Sequence, residues 1–129
     1  MAVVALDNRG SANRGVAFEQ PIYRGMGGVE VRDQKAGAQF LKTLPFVDPD
    51  KIAIDGWSYG GYMTLKQLQA DPGLYAAGIA GAPVTRWELY DTHYTERYMG
   101  TPQDDAAAYA AASAIPNASK ITDPLLLIH

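Results

Sequence analysis

The 129 residues suffice for one domain of ordinary size or a piece of a larger one, and 47% apolar content can build a core. A net charge of −3 with no Lys/Arg cluster argues against a nucleic-acid surface. The lack of cysteine excludes disulfides and thiolate metal sites, and only His93 and His129 could serve as an imidazole base.

In chain order, residues 2–6 (Ala-Val-Val-Ala-Leu) are apolar throughout and read as a buried strand of a parallel sheet. They are too short and uncharged for a signal peptide, and no run is long enough to span a bilayer. A strand this close to residue 1 leads us to expect an amino terminus cut inside a domain. The loop to Gly28 is rich in glycine and arginine; Arg9, Arg14 and Arg24 either line a site or pair with carboxylates. Gly25-Met26-Gly27-Gly28 has no strand before it and so does not read as a phosphate loop. Residues 29–43 read as a helix, with Val29, Ala36, Phe40 and Leu44 on one face and Pro45 as its stop.

Residues 51–55 form a short apolar run that predicts a buried strand, and residues 62–70 predict a helix ending at Asp71-Pro72-Gly73. Residues 76–81, small and apolar, are the next strand. An aromatic-rich segment from 87 to 99 follows. Residues 104–112 predict a short helix with acidic residues at its start. Residues 125–128 (Leu-Leu-Leu-Ile) are a further buried strand. Strands alternating with helices predict an α/β fold with a parallel sheet, on which ligands bind at the carboxyl ends of the strands.

Between strand 51–55 and helix 62–70 lies Gly56-Trp57-Ser58-Tyr59-Gly60-Gly61-Tyr62. A bare G-x-S-x-G is weak, because glycine and serine are common. Strand, motif and helix in succession are the context of a nucleophile elbow. A serine on that turn projects its hydroxyl out of the sheet, with Gly56 and Gly60 relieving crowding on either side. The helix that follows offers its positive end and the Tyr59 N–H to a developing oxyanion.

Together Asp7-Asn8-Arg9-Gly10, the 56–62 run, Ala82-Pro83-Val84-Thr85-Arg86-Trp87 and Tyr94-Thr95-Glu96-Arg97-Tyr98-Met99-Gly100 are similar to the prolyl oligopeptidase family of serine peptidases. The resemblance is to its dipeptidyl peptidase IV-like branch and runs in register over nearly the whole chain. It implies a partial α/β-hydrolase fold, a parallel sheet with flanking helices carrying the nucleophile-elbow portion. Residues 1–129 are then part of a single catalytic domain, truncated at both ends, with a β-propeller outside it. The implied activity is release of amino-terminal dipeptides after penultimate proline or alanine, with no metal or cofactor. Ser58 is the implied nucleophile and the Tyr59 N–H an oxyanion donor. Tyr59, Val84, Trp87, Tyr90 and Tyr94 match residues that wall the substrate pocket, against the alternative of ordinary core packing. The implied partners are a peptide substrate, the rest of the domain and the propeller; dimerisation is usual in this branch.

The triad order in this fold is Ser, Asp, His. By resemblance the acid follows strand 125–128 and the base lies further on, so neither belongs to residues 1–129. His129 matches the strand end rather than the base, and His93 a surface or pocket-rim position. The resemblance also places a strand from outside this chain between residues 3–6 and the nucleophile strand. The isolated segment is therefore expected to be inactive. Two other readings stay open: an esterase or lipase on the same fold, and a non-catalytic fragment or interaction module.

Overall fold

The strand before the motif is β1 (Ala53–Trp57), and the computed structural model, which describes all 129 residues, builds the sheet outward from it. Strand β2 (Ala77–Gly81) pairs with β1, its Gly81 leaving room for the Trp57 ring, and β3 (Leu125–Ile128) adds on the far side of β2. All three strands are parallel, in the order β1-β2-β3, with Trp57 opposite Gly81 and Gly81 opposite Ile128. Parallel neighbours need a crossover, and the one from β1 to β2 is α3 (Tyr59–Ala70). Before β1 come the single turn α1 (Val16–Glu19) and the longer α2 (Val29–Leu41), which packs against α3. Between β2 and β3 lie α4 (Thr92–Met99) and α5 (Ala106–Ala112), with short 3₁₀ turns at Trp87–Leu89 and Ile115–Lys120.

The main core is aromatic and sulfur-rich. Met26, Val31, Tyr62, Met63, Trp87, Met99 and Tyr109 meet where α2, α3, α4 and α5 converge. A smaller cluster of Ala38, Leu68 and Tyr75 seats α2 and α3 on the sheet. Close approach of α3 to the strands depends on missing side chains. A Cβ on Gly78 would press into Leu68 and Thr64. No helix is long and apolar enough to cross a membrane, and no three His, Asp or Glu side chains cluster to hold a metal ion.

Residues 2–6 do not form the strand expected of them. Val3 is 86% exposed, and the segment has no ladder with β1. A strand exists only through a partner's backbone groups. Here cavities of about 600 and 280 Å³ separate the segment from Ile54 and Asp55 of β1. What holds the segment is α2: Gln34 Nε2 donates to the Leu6 carbonyl and to Asn8 Oδ1, and the Leu6 side chain fills the space beside Gly37. The apolar stripe expected on α2 is also revised. Its buried residues are Val29, Glu30, Val31 and Ala38, whereas Phe40 is 62% exposed.

Candidate active site

Ser58 occupies the junction of β1 and α3, with φ 57° and ψ −111°. That left-handed φ is strained for a residue bearing a side chain, and such strain persists only where the surroundings impose it. Here they do. The Ser58 N–H donates to the Gly81 carbonyl of β2 at 2.8 Å, and the Ser58 carbonyl accepts from the Tyr62 N–H at 3.0 Å. One bond extends the sheet and the other opens the helix, so the turn between them has no slack. Tyr59 starts α3, where the first N–H groups have no acceptor within the helix and the helix end is positive.

The glycines share the steric work differently from the expectation. A Cβ on Gly56 would fall inside the backbone of Gly60, so this position must be glycine. Gly60 itself has open space where its own Cβ would stand. The second position that must be bare is Gly61, whose Cβ would collide with the Gly81 carbonyl and crowd Pro83. The serine is therefore framed by Gly56 and Gly61, the latter three residues downstream.

The five residues expected to wall a pocket are brought to one place. The Tyr59 and Trp87 rings have centroids 5.5 Å apart, Trp87 stacks on Tyr94 at 5.9 Å, and Tyr90 meets both edge-on at 6.0 and 5.7 Å. Val84 packs on the same cluster from the loop after β2. Each such aromatic pair adds roughly 0.5–1.5 kcal/mol beyond its buried area. The residues are not equally accessible: Trp87 is 1% exposed, Tyr59 and Tyr94 are partly buried, and Tyr90 is exposed. Asp91 holds Tyr94 in register by capping α4, its carboxylate accepting from the Tyr94 N–H at 2.8 Å. The about 600 Å³ cavity beside residues 3–6 reaches this cluster only at Tyr59 and Tyr94, and also touches Tyr98, whose ring lies 5.0 Å from that of Tyr94.

The arginines resolve as ion pairs. Arg9 grips Asp33 of α2 with two nitrogens, Arg14 meets Asp7 and Arg24 meets Asp105. Both histidines, His93 on α4 and His129 after β3, are exposed.

One residue of the site's framework escapes a reading of the sequence, namely Glu30. It lies in the first turn of α2, where its carboxylate accepts from the N–H groups of Gly27 and Gly28 and from the Tyr59 hydroxyl. The glycine run before α2 is thus an anion cradle filled by the chain's own carboxylate. The signal was an acid between two valines just after paired glycines. Burial, then the Glu30 charge, push the Tyr59 phenol well above its ordinary pKa, so it stays a proton donor.

The prolyl oligopeptidase family model matches residues 1–129. The chain is 46% identical over 131 residues to dipeptidyl peptidase 8 of Homo sapiens, covering 98% of this chain and 15% of that protein. It is 46% identical over 112 residues to dipeptidyl aminopeptidase B of Saccharomyces cerevisiae, covering 86% of this chain and 14% of that protein. Among solved structures, Porphyromonas gingivalis dipeptidyl peptidase 4 superimposes with a TM-score of 0.90 at 45% identity, covering 94% of this chain and 17% of that one. The chain therefore spans about a sixth of the length of the relatives it matches.

Proposed function

Because the chain belongs to the prolyl oligopeptidase family, we propose that residues 1–129 supply the nucleophile and substrate pocket of a serine dipeptidyl peptidase. The observation that carries this reading is Ser58, held at φ 57° on the strand–helix junction, one residue before the aromatic cluster begins. The names of the similar proteins, dipeptidyl peptidases and a dipeptidyl aminopeptidase, support the same substrate class.

In the proposed reaction, Ser58 Oγ attacks the carbonyl carbon of the second residue of a peptide. Its proton passes to an imidazole base contributed from outside residues 1–129, and the acid that orients the base is contributed from outside as well. The carbonyl oxygen becomes an oxyanion and accepts from the Tyr59 N–H at the positive end of α3. The C–N bond then breaks, with the base returning its proton to the leaving amine, and water hydrolyses the dipeptidyl ester to regenerate Ser58. Tyr59, Val84, Trp87, Tyr90 and Tyr94 would receive the second residue of the substrate. A rigid pyrrolidine ring suits flat aromatic walls because it loses little entropy on entry. The remainder of the catalytic domain, a β-propeller and a second copy of the chain are the proposed partners.

The test uses the full-length protein. A fluorophosphonate should label Ser58, and a glycyl-prolyl chromogenic amide should be cleaved faster than its glycyl-alanyl counterpart. Ser58→Ala should abolish both. Labelling elsewhere would remove the nucleophile assignment; hydrolysis of short esters with no dipeptide amide turnover would favour an esterase.

A further inference from the structure

The nucleophile turn is tied to a distant part of the chain by one buried carboxylate. We propose that Glu30 is a positioning residue of the active site: by holding the Tyr59 hydroxyl it fixes both the Tyr59 ring and the Tyr59 backbone N–H. The inference rests on the dipeptidyl peptidase reading, in which that ring bounds the pocket and that N–H faces the oxyanion.

The geometry is specific. Glu30 is 1% exposed, and a buried carboxylate is tolerated only with its lone pairs satisfied. Its Oε1 accepts from the Gly27 N–H at 2.8 Å and from the Tyr59 hydroxyl at 2.5 Å; its Oε2 accepts from the Gly28 N–H at 3.0 Å. The cradle is itself clamped by the helix that begins at the nucleophile. Tyr62, one turn beyond Tyr59 on α3, donates to the Met26 carbonyl at 3.2 Å and the Ala112 carbonyl at 2.8 Å. Gly27 sits at φ 78°, where a Cβ would run into the Tyr62 hydroxyl. Tyr59 and Tyr62 thus hold the loop before α2 from one face of α3, and Glu30 closes the ring of contacts. The Tyr59 ring packs against both Tyr62 and Trp87, 5.5 Å from each, the three rings forming a near-equilateral triangle. Packing alone would be served by phenylalanine; the hydroxyl adds a fixed end point. With the ring held at its tip and its sides, the first residue of α3 cannot rotate, so its N–H keeps one direction.

Glutamine cannot replace this acid. All three partners are donors, and one side of an amide would present N–H to N–H. The test is a double-mutant cycle in the full-length protein with wild type, Glu30→Gln, Tyr59→Phe and the double variant. Two quantities are read: kcat/KM on glycyl-prolyl and glycyl-alanyl amides, and amide hydrogen exchange of the peptide spanning residues 58–62.

Each single variant should lower prolyl kcat/KM roughly tenfold or more, the scale of one hydrogen bond to a charged group. Each should also narrow the proline-over-alanine ratio and speed exchange at 58–62. The double variant should be no worse than the poorer single. Losses that multiply, or an unchanged ratio, would overturn the proposal, because a merely structural carboxylate acts independently of the Tyr59 hydroxyl. If Glu30→Gln fails to fold, Tyr59→Phe alone reads the same contact, and an unaltered ratio and exchange rate would overturn it. A wild-type protein inert toward dipeptide amides would instead defeat the functional reading. The exchange cycle would still decide whether Glu30 acts through Tyr59.

Discussion

At the scale of single residues, the site depends on which positions lack side chains and which side chains end in a fixed partner. Gly61→Ala in the full-length protein should cost about 1–3 kcal/mol, the range for forcing extra volume into a packed contact, because its Cβ meets the Gly81 carbonyl. Gly60→Ala, with open space where its Cβ would stand, should be neutral or slightly stabilising, since alanine favours helices. Urea unfolding of the two variants checks this, and the reverse order would mean that the elbow is framed by Gly60 after all. Tyr94 offers the cleaner probe of the pocket, being half-buried where Trp87 is sealed. Tyr94→Ala should reduce the proline preference by roughly tenfold while leaving fluorophosphonate labelling of Ser58 intact, since pocket mismatches are worth ~1–3 kcal/mol per methylene. Ser58 was legible because a motif marks it, and the aromatic cluster because its residues match those of a known family. Gly61 and Glu30 were not, because their reasons are three-dimensional. One is pressed by a carbonyl of the neighbouring strand, and the other is read as a solvated acid until its helix is packed.

At the scale of elements, the sequence was most informative where hydrophobic period and punctuation agree. The strand at residues 125–128 and the helix ending before Asp71 stand where the pattern puts them, but the strand is not buried as expected, Leu126, Leu127 and Ile128 being exposed. Strand β1 runs two residues further than its apolar stretch, because the ladder to β2 continues through Gly56 and Trp57. Helix α4 was hidden by its aromatics, which read as a pocket segment rather than a periodic face; its stop and start are Gly100 and the Asp91 cap. Helix α5 is seven residues of mostly alanine and too short to persist alone, so its cap matters. Asp105 accepts from the Ala108 N–H at 3.0 Å and pairs loosely with Arg24 at 3.8 Å. Removing the cap with Asp105→Ala should lower stability by about 1 kcal/mol. Asp105→Asn, which keeps the acceptor and discards the charge, should lose little, as exposed ion pairs contribute little. Equal losses in urea midpoint for the two variants would show that the ion pair, not the cap, holds α5.

At the scale of the whole molecule, the helices packed on the sheet leave much of it open. The side chains of Ala53, Asp55 and Trp57 on β1 are exposed, as are Leu126, Leu127 and Ile128 on β3. Buried parallel sheets are ordinarily covered on both faces, and a free strand edge invites pairing with another chain. Val3, Val4, Phe40 and Phe46 are exposed as well, and exposed apolar side chains that form a contiguous patch favour association. Residues 1–129 expressed alone should therefore aggregate heterogeneously and bind a hydrophobic dye, whereas the full-length protein should form at most a discrete dimer and leave the dye unbound. Activity should follow the same division. On the proposal that the base for Ser58 lies outside residues 1–129, turnover of a glycyl-prolyl amide by the isolated segment should fall by a factor on the order of 10⁴ to 10⁶, the scale of triad knockouts. Gel filtration, dye binding and an amidase assay on both proteins test this. A monodisperse isolated segment with Ser58-dependent turnover would mean that residues 1–129 carry a complete catalytic apparatus, and the base would then have to be sought in His93 or His129.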